Sequence, residues 1–431
     1  MRTQEGEAGM ATETDPAKTA VAVVEMAREG CFDEIAQRFA PTLRAAVSAE
    51  ALRLAWSVEL GKHGAVTAIG EPVAEPPGAG RVRVSVPVSC ERGGLTVVMS
   101  VDDTGSLNGL RFAPAATAPW TPPPYAAPER FEESAVTLGH APLAVSGTLS
   151  LPRGDGPWPG VVLLGGGGPF DRDGSAGPNK PLKDLAWGLA SRGVAVLRFD
   201  KVTYAHPGRV ADDHDFTMAD EYVPHAVAAV RTLQDRPAVD PGRIFVVGHS
   251  MGGKVAPRVA AAEPSVAGLV LLAGDAEPMH RAAVRVARHL ASLAPGPAAD
   301  AAVEALTRQA AVVDSPGLSH STPAESLPLG LSAAYWLDLR GYDPVAAAAA
   351  LGTPMLVLQG GRDYQVTVAD DLARWRAGLA HRPDVTTRVY EADNHLFFPG
   401  SGPSTPAEYE SAHHVDPAVV ADIAEWLSPP A

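Results

Sequence analysis

Hydrophobic and polar positions follow different periods in different parts of the chain. From Asp15 onwards apolar residues recur with helical spacing, and Arg81 to Val86 then alternates strictly between valine and polar residues. Helices followed by antiparallel strands predict a small N-terminal α+β domain over residues 16–112. The polar, acidic residues 1–15 that precede it are predicted to be a mobile tail.

A proline-rich segment separates this domain from the rest of the chain. The window of residues 114–130 contains six prolines, which exclude a helix or a central strand and favour a stiff, extended connector. We therefore predict a linker over residues 113–128 and a second domain over residues 129–428.

Continuous apolar runs alternate with helical patterns throughout the second domain. The runs that predict buried strands are 160–164, 194–199, 244–247, 266–272, 355–359 and 387–391. The helical patterns between and after them fall at 181–191, 218–237, 251–262, 367–380 and 415–427. This alternation is typical of the α/β class, with a mostly parallel sheet covered by helices on both faces. Residues 276–352 interrupt it with helical sequence alone, which predicts a helical cap.

The strongest chemical signal is a G-x-S-x-G motif, formed by Gly248, Ser250 and Gly252, directly after a predicted strand and opening a helix. In this context the serine lies on a sharp turn with its hydroxyl exposed, and larger residues two positions away would collide with the neighbouring strand and helix. The Met251 N–H, at the start of the helix, can then face a developing oxyanion. We predict that Ser250 is a nucleophile.

A nucleophilic serine needs a base, and the base needs an acid that orients it. In this strand–turn–helix architecture both follow the serine, on loops after later strands. Asp363 follows the run 355–359, and His395 follows the run 387–391, so these residues are predicted to complete a Ser-His-Asp triad. Asp275, after the run 266–272, is the rival acid.

Four consecutive glycines, Gly165 to Gly168, follow the first strand of the predicted parallel sheet. Glycines let backbone N–H groups approach a ligand closely, so Gly166 and Gly167 are candidates for the second oxyanion donor. A phosphate-binding loop is the competing interpretation, but the Lys-Ser/Thr pair that such a loop requires does not follow.

These segments resemble the α/β-hydrolase superfamily. The whole chain is similar to bacterial serine hydrolases of the dienelactone-hydrolase and acyl-esterase type that carry an N-terminal α+β domain of unassigned function. The similarity lies in the proline-rich connector, GPNKPLKDLAWGLASRGVAVLRFDK (177–201), GHSMGG (248–253), LQGGRDYQVT (358–367) and NHLF with STPAEY (394–409). It implies the triad Ser250, Asp363 and His395, and oxyanion donors at Met251 and at a glycine near 166–167.

The glycine loop departs from the relatives, which usually have His-Gly-Ser-Gly-Pro-Asn where this chain has Gly165 to Phe170. Lost polar side chains and an added Phe170 predict a roomier, drier site for a hydrophobic acyl group. In the cap, Tyr335 and Trp336 are candidates for lining this acyl pocket, with packing of the cap on the core as an equal alternative.

Charge and composition exclude several classes of function. The formal net charge of −15 argues against a nucleic-acid-binding surface, and no apolar run is long enough to span a membrane. The N-terminus lacks the apolar stretch of a signal peptide, so a cytoplasmic protein is expected. No metal site and no organic cofactor are predicted, and the sequence leaves a homodimer open.

The sequence therefore predicts a serine hydrolase that cleaves an ester or thioester of a small, hydrophobic acyl substrate through an acyl-enzyme. Two alternatives stay open. The same triad could serve an acyltransferase or cyclase in a biosynthetic pathway, if the cap excludes water. A non-catalytic binding or scaffold protein could also use this fold, with the N-terminal domain as its partner surface.

Overall fold

A computed structural model describes residues 15–75, 81–91, 93–114 and 120–427. The chain divides into two compact units after Pro119. The predicted tail, apart from Asp15, lies outside the described residues, as do residues 115–119 of the predicted linker.

The first unit combines helices with an antiparallel sheet. Its helices are α1 (Pro16–Glu29), α2 (Phe32–Gln37), α3 (Pro41–Ala46) and α4 (Ala49–His63). Its strands are β1 (Val66–Ile69), β2 (Val73–Ala74), β3 (Arg81–Cys90), β4 (Gly93–Asp102) and β5 (Leu107–Pro114). The sheet has the order β1-β3-β4-β5, with β2 paired to β3. Alternate residues of β3, including Val84 and Val86, are completely buried, as the period of two predicts.

The second unit is built on an eight-stranded sheet. Its strands are β6 (Phe131–Leu138), β7 (Val145–Pro152), β8 (Trp158–Leu164), β9 (Ala195–Phe199), β10 (Val239–His249), β11 (Gly268–Leu272), β12 (Met355–Gly360) and β13 (Val385–Tyr390). The order across the sheet is β13-β12-β11-β10-β8-β9-β7-β6. Strands β8 to β13 run parallel, and β6 and β7 add an antiparallel edge. The predicted α/β class with a mostly parallel sheet is confirmed.

Helices cover both faces of this sheet. They are α5 (Pro181–Ala190), α6 (Val202–Ala205), α7 (Pro207–Asp212), α8 (Met218–Gln234), α9 (Met251–Ala262), α14 (Ala373–Gly378) and α15 (Pro417–Leu427). Adjacent residues of β8 belong to different cores: Leu164 packs with residues of α8 and α9, and Leu163 packs with residues of α5 and α15. Burial on both sides explains why the strands read as continuous apolar runs.

The segment between β11 and β12, which the structure describes in full, contains helices and no strand. These helices are α10 (Met279–Leu293), α11 (Pro297–Asp314), α12 (Ala333–Gly341) and α13 (Pro344–Ala349). The helix expected at 367–380 instead begins as a π-helical turn, Val368–Leu372. The buried Asp371 carboxylate in this turn accepts from Thr367 N–H and Ala276 N–H, each at 2.9 Å, which ties the turn to the loop after β11.

Residues 120–128 pack on the second unit, although the sequence assigns them to an extended linker. Trp120 Nε1 donates to Asp184 Oδ1 at 2.8 Å, and Ala127 N donates to Ser191 Oγ at 2.8 Å. Proline content alone missed these contacts because Trp120 and Tyr125, which lie between the prolines, supply the apolar surface that packs against α5.

No helix in the described ranges is long and apolar enough to cross a membrane.

Asp184 is a buried polar residue whose hydrogen bonds connect three segments of the second unit. Its carboxylate is completely buried and accepts from Trp120 Nε1 at 2.8 Å, from His414 Nδ1 at 3.1 Å and from Val415 N at 3.1 Å. It therefore connects α5 to the segment before β6 and to the segment before α15.

We expect Asp184→Ala to lower the free energy of unfolding by about 3 kcal/mol, because it leaves several buried donors without an acceptor. Urea unfolding followed by tryptophan fluorescence measures this change. Asp213→Ala is the control, since Asp213 is an exposed loop carboxylate, and it should change the free energy by less than about 0.5 kcal/mol. Equal effects of the two substitutions would contradict a structural role of Asp184.

Candidate active site

Ser250 lies on a strained turn between β10 and α9. Its backbone has φ 55° and ψ −119°, outside the regions that L-residues favour, and its N–H donates to Leu272 O at 2.8 Å. A Cβ on Gly248 would come within 2.2 Å of Gly252 O, and a Cβ on Gly252 within 2.5 Å of Leu164 O. Both glycines of the motif are therefore required by backbone contacts, and they allow the turn to hold Ser250 in place.

His395 and Asp363 meet at the carboxyl ends of β13 and β12. His395 Nδ1 lies 2.7 Å from Asp363 Oδ2, and both residues are buried. The other carboxylate oxygen, Oδ1, accepts from Gln365 N at 2.8 Å and Val366 N at 3.0 Å. Gln359 Nε2 lies 3.3 Å from Oδ2. These bonds fix the orientation of the carboxylate toward the imidazole.

His249 links the Ser250 turn to the His395 loop. Its Nε2 lies 2.8 Å from the His395 carbonyl oxygen, and the two rings are 4.7 Å apart between centroids. Burial and the neighbouring His395 lower the pKa of His249 to about 3, so its ring is neutral near pH 7. His249 therefore contributes packing and a hydrogen bond, which leaves His395 as the titratable imidazole of this site.

Asp363 controls the protonation of His395. Burial lowers the pKa of His395, but the charge and hydrogen bond of Asp363, together with the smaller effects of the Asp275 and Asp371 charges, outweigh it, so the net pKa is raised above 6.5. Asp363 can thus stabilise an imidazolium formed during a reaction. His395 Nδ1 is occupied by Asp363, which leaves Nε2 as the ring nitrogen able to exchange a proton with another group.

The rival acid, Asp275, is engaged elsewhere. Its carboxylate forms a buried ion pair with Lys254 Nζ, which also donates to Glu277 O at 3.2 Å. The carboxylate within hydrogen-bond distance of His395 Nδ1 belongs to Asp363. Geometry therefore favours Asp363 over Asp275 as the orienting acid.

The glycine loop after β8 lies against the Ser250 turn. A Cβ on Gly166 would come within 3.3 Å of Ser250 Cβ, and one on Gly167 within 3.2 Å of Met251 Cε. Met251 is the first residue of α9, where backbone N–H groups have no partner inside the helix. The three candidate oxyanion residues, Gly166, Gly167 and Met251, are therefore neighbours around Ser250.

The three residues proposed to bind substrate differ in burial and in their contacts. Phe170 is half-buried, and a Cβ on Gly168 would come within 3.0 Å of its ring, at the edge of the glycine loop. Tyr335 is buried, and its hydroxyl donates to Glu221 Oε2 at 2.5 Å. Trp336 has no exposed surface and donates from Nε1 to Pro328 O at 3.2 Å. Trp336 therefore packs α12 within the core instead of lining an open pocket.

Arg285, from α10, holds the backbone that follows Asp363. Its guanidinium donates to Tyr364 O and to Gln365 O, each at 3.0 Å, and to Glu277 Oε2 at 3.0 Å. The helical insert thus contacts the loop that carries the acid.

Sequence reasoning missed Arg285, Gln359 and a buried group of polar residues behind the glycine loop, Lys201, Glu221 and Tyr222. One signal was present in the composition. The chain has only six lysines among its 35 basic residues, and two of them, Lys201 and Lys254, are almost completely buried next to the site. A buried lysine needs a specific partner, so a rare lysine after a predicted strand marks a constrained position.

Comparison with known proteins adds independent information. A family model described as serine aminopeptidase, S33, matches residues 179–399, a segment that contains Ser250, Asp363 and His395. Esterase EstD of Thermotoga maritima is 36% identical over 338 residues, which cover 78% of this chain and 77% of that protein. A monoacylglycerol lipase of Mycolicibacterium smegmatis is 32% identical over 159 residues, or 36% of this chain and 55% of that protein. A solved esterase of Pyrococcus furiosus superposes with a TM-score of 0.45 at 18% identity, over 72% of this chain and 98% of that chain.

The pairing of His395 with Asp363 predicts a specific pattern of imidazole pKa values. In the wild type we expect the pKa of His395 to lie above 6.5, and Asp363→Asn should lower it by removing the carboxylate charge. Asp275→Asn should lower it much less, because Asp275 contributes only a weaker, more distant charge. Titration of the histidine resonances by NMR measures all three values. A larger decrease in Asp275→Asn would identify Asp275 as the acid.

Proposed function

Since the chain belongs to the α/β-hydrolase superfamily and is an ester hydrolase, we propose that it cleaves an ester or thioester through an acyl-enzyme on Ser250. His395 acts as the general base and acid, and Asp363 orients it. The observation that carries this proposal is the 2.7 Å contact between His395 Nδ1 and Asp363 Oδ2, beside a strained serine turn. An enzymatic role also removes the reason for interpreting the chain as a non-catalytic scaffold.

In the first half of the reaction the Ser250 oxygen attacks the acyl carbonyl carbon, and its proton passes to Nε2 of His395. The resulting imidazolium is stabilised by Asp363, and it then donates the proton to the departing alcohol or thiol. In the second half, water loses a proton to His395 and attacks the acyl-enzyme, which releases the acid and restores Ser250. Because the pKa of His395 is raised, the base is lost as the pH falls through that raised value.

The negative charge on the carbonyl oxygen is held by backbone N–H groups. Met251 N–H, at the start of α9, is one proposed donor, and a glycine N–H at 166 or 167 is the other. Support for the second donor comes from the position of Gly166, where an added Cβ would contact Ser250 Cβ at 3.3 Å. Both donors belong to the main chain, so the loss of side chains from the glycine loop leaves them available.

The proposed substrate is a small molecule with a hydrophobic acyl group. Gly167 is exposed and offers no side chain to narrow the site, and Phe170 adds apolar surface at the edge of the same loop. A bulky apolar acyl chain would bury more surface there than an acetyl group.

We expect Ser250→Ala to abolish ester turnover, with a loss of roughly 10⁶-fold in kcat by analogy with other triad serines. The measurement is kcat and kcat/KM on p-nitrophenyl esters with acyl chains of two to twelve carbons. The wild type should have its highest kcat/KM on the longer chains. The control is Ser292→Ala, since Ser292 is an exposed cap serine whose hydroxyl only donates to a carbonyl of its own helix. Turnover that survives in Ser250→Ala would contradict the assignment of the nucleophile.

A further inference from the structure

A buried group of polar side chains lies directly behind the glycine loop. Lys201, Glu221 and Tyr222 are 4%, 5% and 2% exposed, respectively. Lys201 Nζ lies 2.9 Å from Glu221 Oε1 and 2.7 Å from the Tyr222 hydroxyl. Burying an ion pair is costly unless its remaining hydrogen bonds are satisfied, so such a group is expected to serve a specific geometry. We call Lys201, Glu221 and Tyr222 the loop anchor.

The loop anchor forms hydrogen bonds with backbone carbonyl oxygens of the glycine loop. Gly166 O accepts from Lys201 Nζ at 2.8 Å and from the Tyr222 hydroxyl at 2.8 Å. The same hydroxyl lies 3.1 Å from Gly165 O. Without side chains of its own, a run of four glycines has wide backbone freedom, and these contacts restrict it where the loop passes Ser250.

Fixing a carbonyl also fixes an N–H. In a planar trans peptide the C=O and N–H bonds point in opposite directions. The carbonyl of the Gly166–Gly167 peptide faces Lys201 and Tyr222, so the N–H of Gly167 faces away from the anchor. Among the hydrogen bonds of the described residues none uses the N–H of Gly167, which leaves it free to donate to a reacting group.

Burial lowers the pKa of Lys201, and the ion pair with Glu221 opposes this effect and favours the charged ammonium, which acts in the same direction as the geometry of the anchor. A cation bound to the Gly166 carbonyl polarises the whole peptide, and hydrogen bonds in such a chain strengthen one another. The Gly167 N–H is thereby a stronger donor than that of an unbound peptide. Burial, together with the Glu221 charge, raises the pKa of Tyr222 far above its usual value, so its hydroxyl stays protonated and can donate.

The anchor also reaches the other proposed donor through the cap. The Tyr335 hydroxyl, from α12, donates to Glu221 Oε2 at 2.5 Å and lies 3.4 Å from Met251 Sδ. One connected set of contacts thus runs from the helical insert to Gly166 and to Met251. This role accounts for the burial of Tyr335, for which the sequence leaves substrate binding and packing of the cap as equal alternatives.

We propose that Lys201 and Tyr222 are positioning residues that orient the Gly166–Gly167 peptide, so that the Gly167 N–H stabilises the oxyanion formed at Ser250. Glu221 holds Lys201 in place, and Tyr335 connects the anchor to the cap. This inference rests on the proposed acyl-enzyme mechanism and identifies which loop N–H serves it. It assigns no contact between the anchor and the substrate.

A purely structural role of the anchor would predict different behaviour. A structural ion pair would affect folding stability, and its loss would slow all substrates to the same extent. An oxyanion-positioning role predicts a loss that depends on the acceptor strength of the carbonyl oxygen of the substrate. Replacing that oxygen with sulfur separates the two, because sulfur is a weak hydrogen-bond acceptor and gains little from a well-placed N–H.

The test compares an aryl ester with the thionoester of the same acyl group, in the full-length protein. For Tyr222→Phe and Lys201→Met we expect kcat on the ester to fall by about 10-fold and 100-fold, since deleting a whole oxyanion donor costs roughly 10² to 10³-fold. KM should change by less than about 3-fold, because the lost interaction forms only in the transition state. The thionoester rate should also change by less than about 3-fold, because its sulfur accepts a hydrogen bond only weakly.

Two further variants make the result independent of folding. Lys201→Met leaves Glu221 as an unpaired buried charge, so Lys201→Met/Glu221→Gln removes both charges together and should give the same selective loss on the ester. Tyr342→Phe is the matched control, since it deletes a partly buried hydroxyl that donates to the backbone carbonyl of Lys254 at 3.0 Å, away from the glycine loop. It should leave both rates within about 2-fold.

Equal losses on ester and thionoester, or unchanged ester rates in Tyr222→Phe and in the double variant, would overturn the positioning role. These outcomes leave the acyl-enzyme mechanism intact, provided that the wild type hydrolyses the ester and Ser250→Ala does not. A wild type that hydrolyses neither substrate would instead overturn both proposals.

Discussion

The close contact between β10 and α9 is the constraint on which the rest of the site depends. The turn at Ser250 has a positive φ, which is a strained conformation for a serine. The surrounding backbone leaves no room for a side chain at Gly248 or Gly252. The helix begins immediately after the serine, so the first N–H groups of α9, which have no partner inside the helix, follow Ser250 directly along the chain. Strain in one residue thus places the proposed nucleophile next to a proposed oxyanion donor.

The parallel sheet brings the remaining groups to the same place. The carboxyl ends of β8, β10, β12 and β13 lie along one edge, and the loops that follow them carry the glycine loop, Ser250, Asp363 and His395. Each loop is then fixed by contacts of its own. Backbone N–H groups of the following residues bind Asp363, His249 binds the carbonyl of His395, and the loop anchor binds the carbonyl of Gly166.

Local patterns in the sequence predict the parallel sheet, and they single out Ser250, Asp363 and His395 as triad candidates, because both depend on short segments. A strand buried on both faces reads as an apolar run wherever it lies, and the requirement for glycine beside Ser250 acts within five residues. The contacts missed by sequence analysis join residues far apart in the chain. Lys201 meets Gly166 and Glu221, and Trp120 meets Asp184, through tertiary packing that leaves no periodic signal. The sequence leaves substrate binding and packing of the cap as equal alternatives for Tyr335 for the same reason, since an aromatic residue in a cap has the same sequence pattern whether it faces a pocket or a buried carboxylate.

In the proposed mechanism, catalysis passes through a covalent acyl group on Ser250. The most direct measurement is the intact mass of the enzyme, quenched with acid during turnover of a slowly hydrolysed long-chain ester, followed by peptide mapping. The mechanism predicts a mass increase equal to one acyl group, located on the peptide that contains Ser250 and lost once the substrate is exhausted. Continued ester turnover with unmodified Ser250 throughout, or an acyl group on another residue, would contradict it.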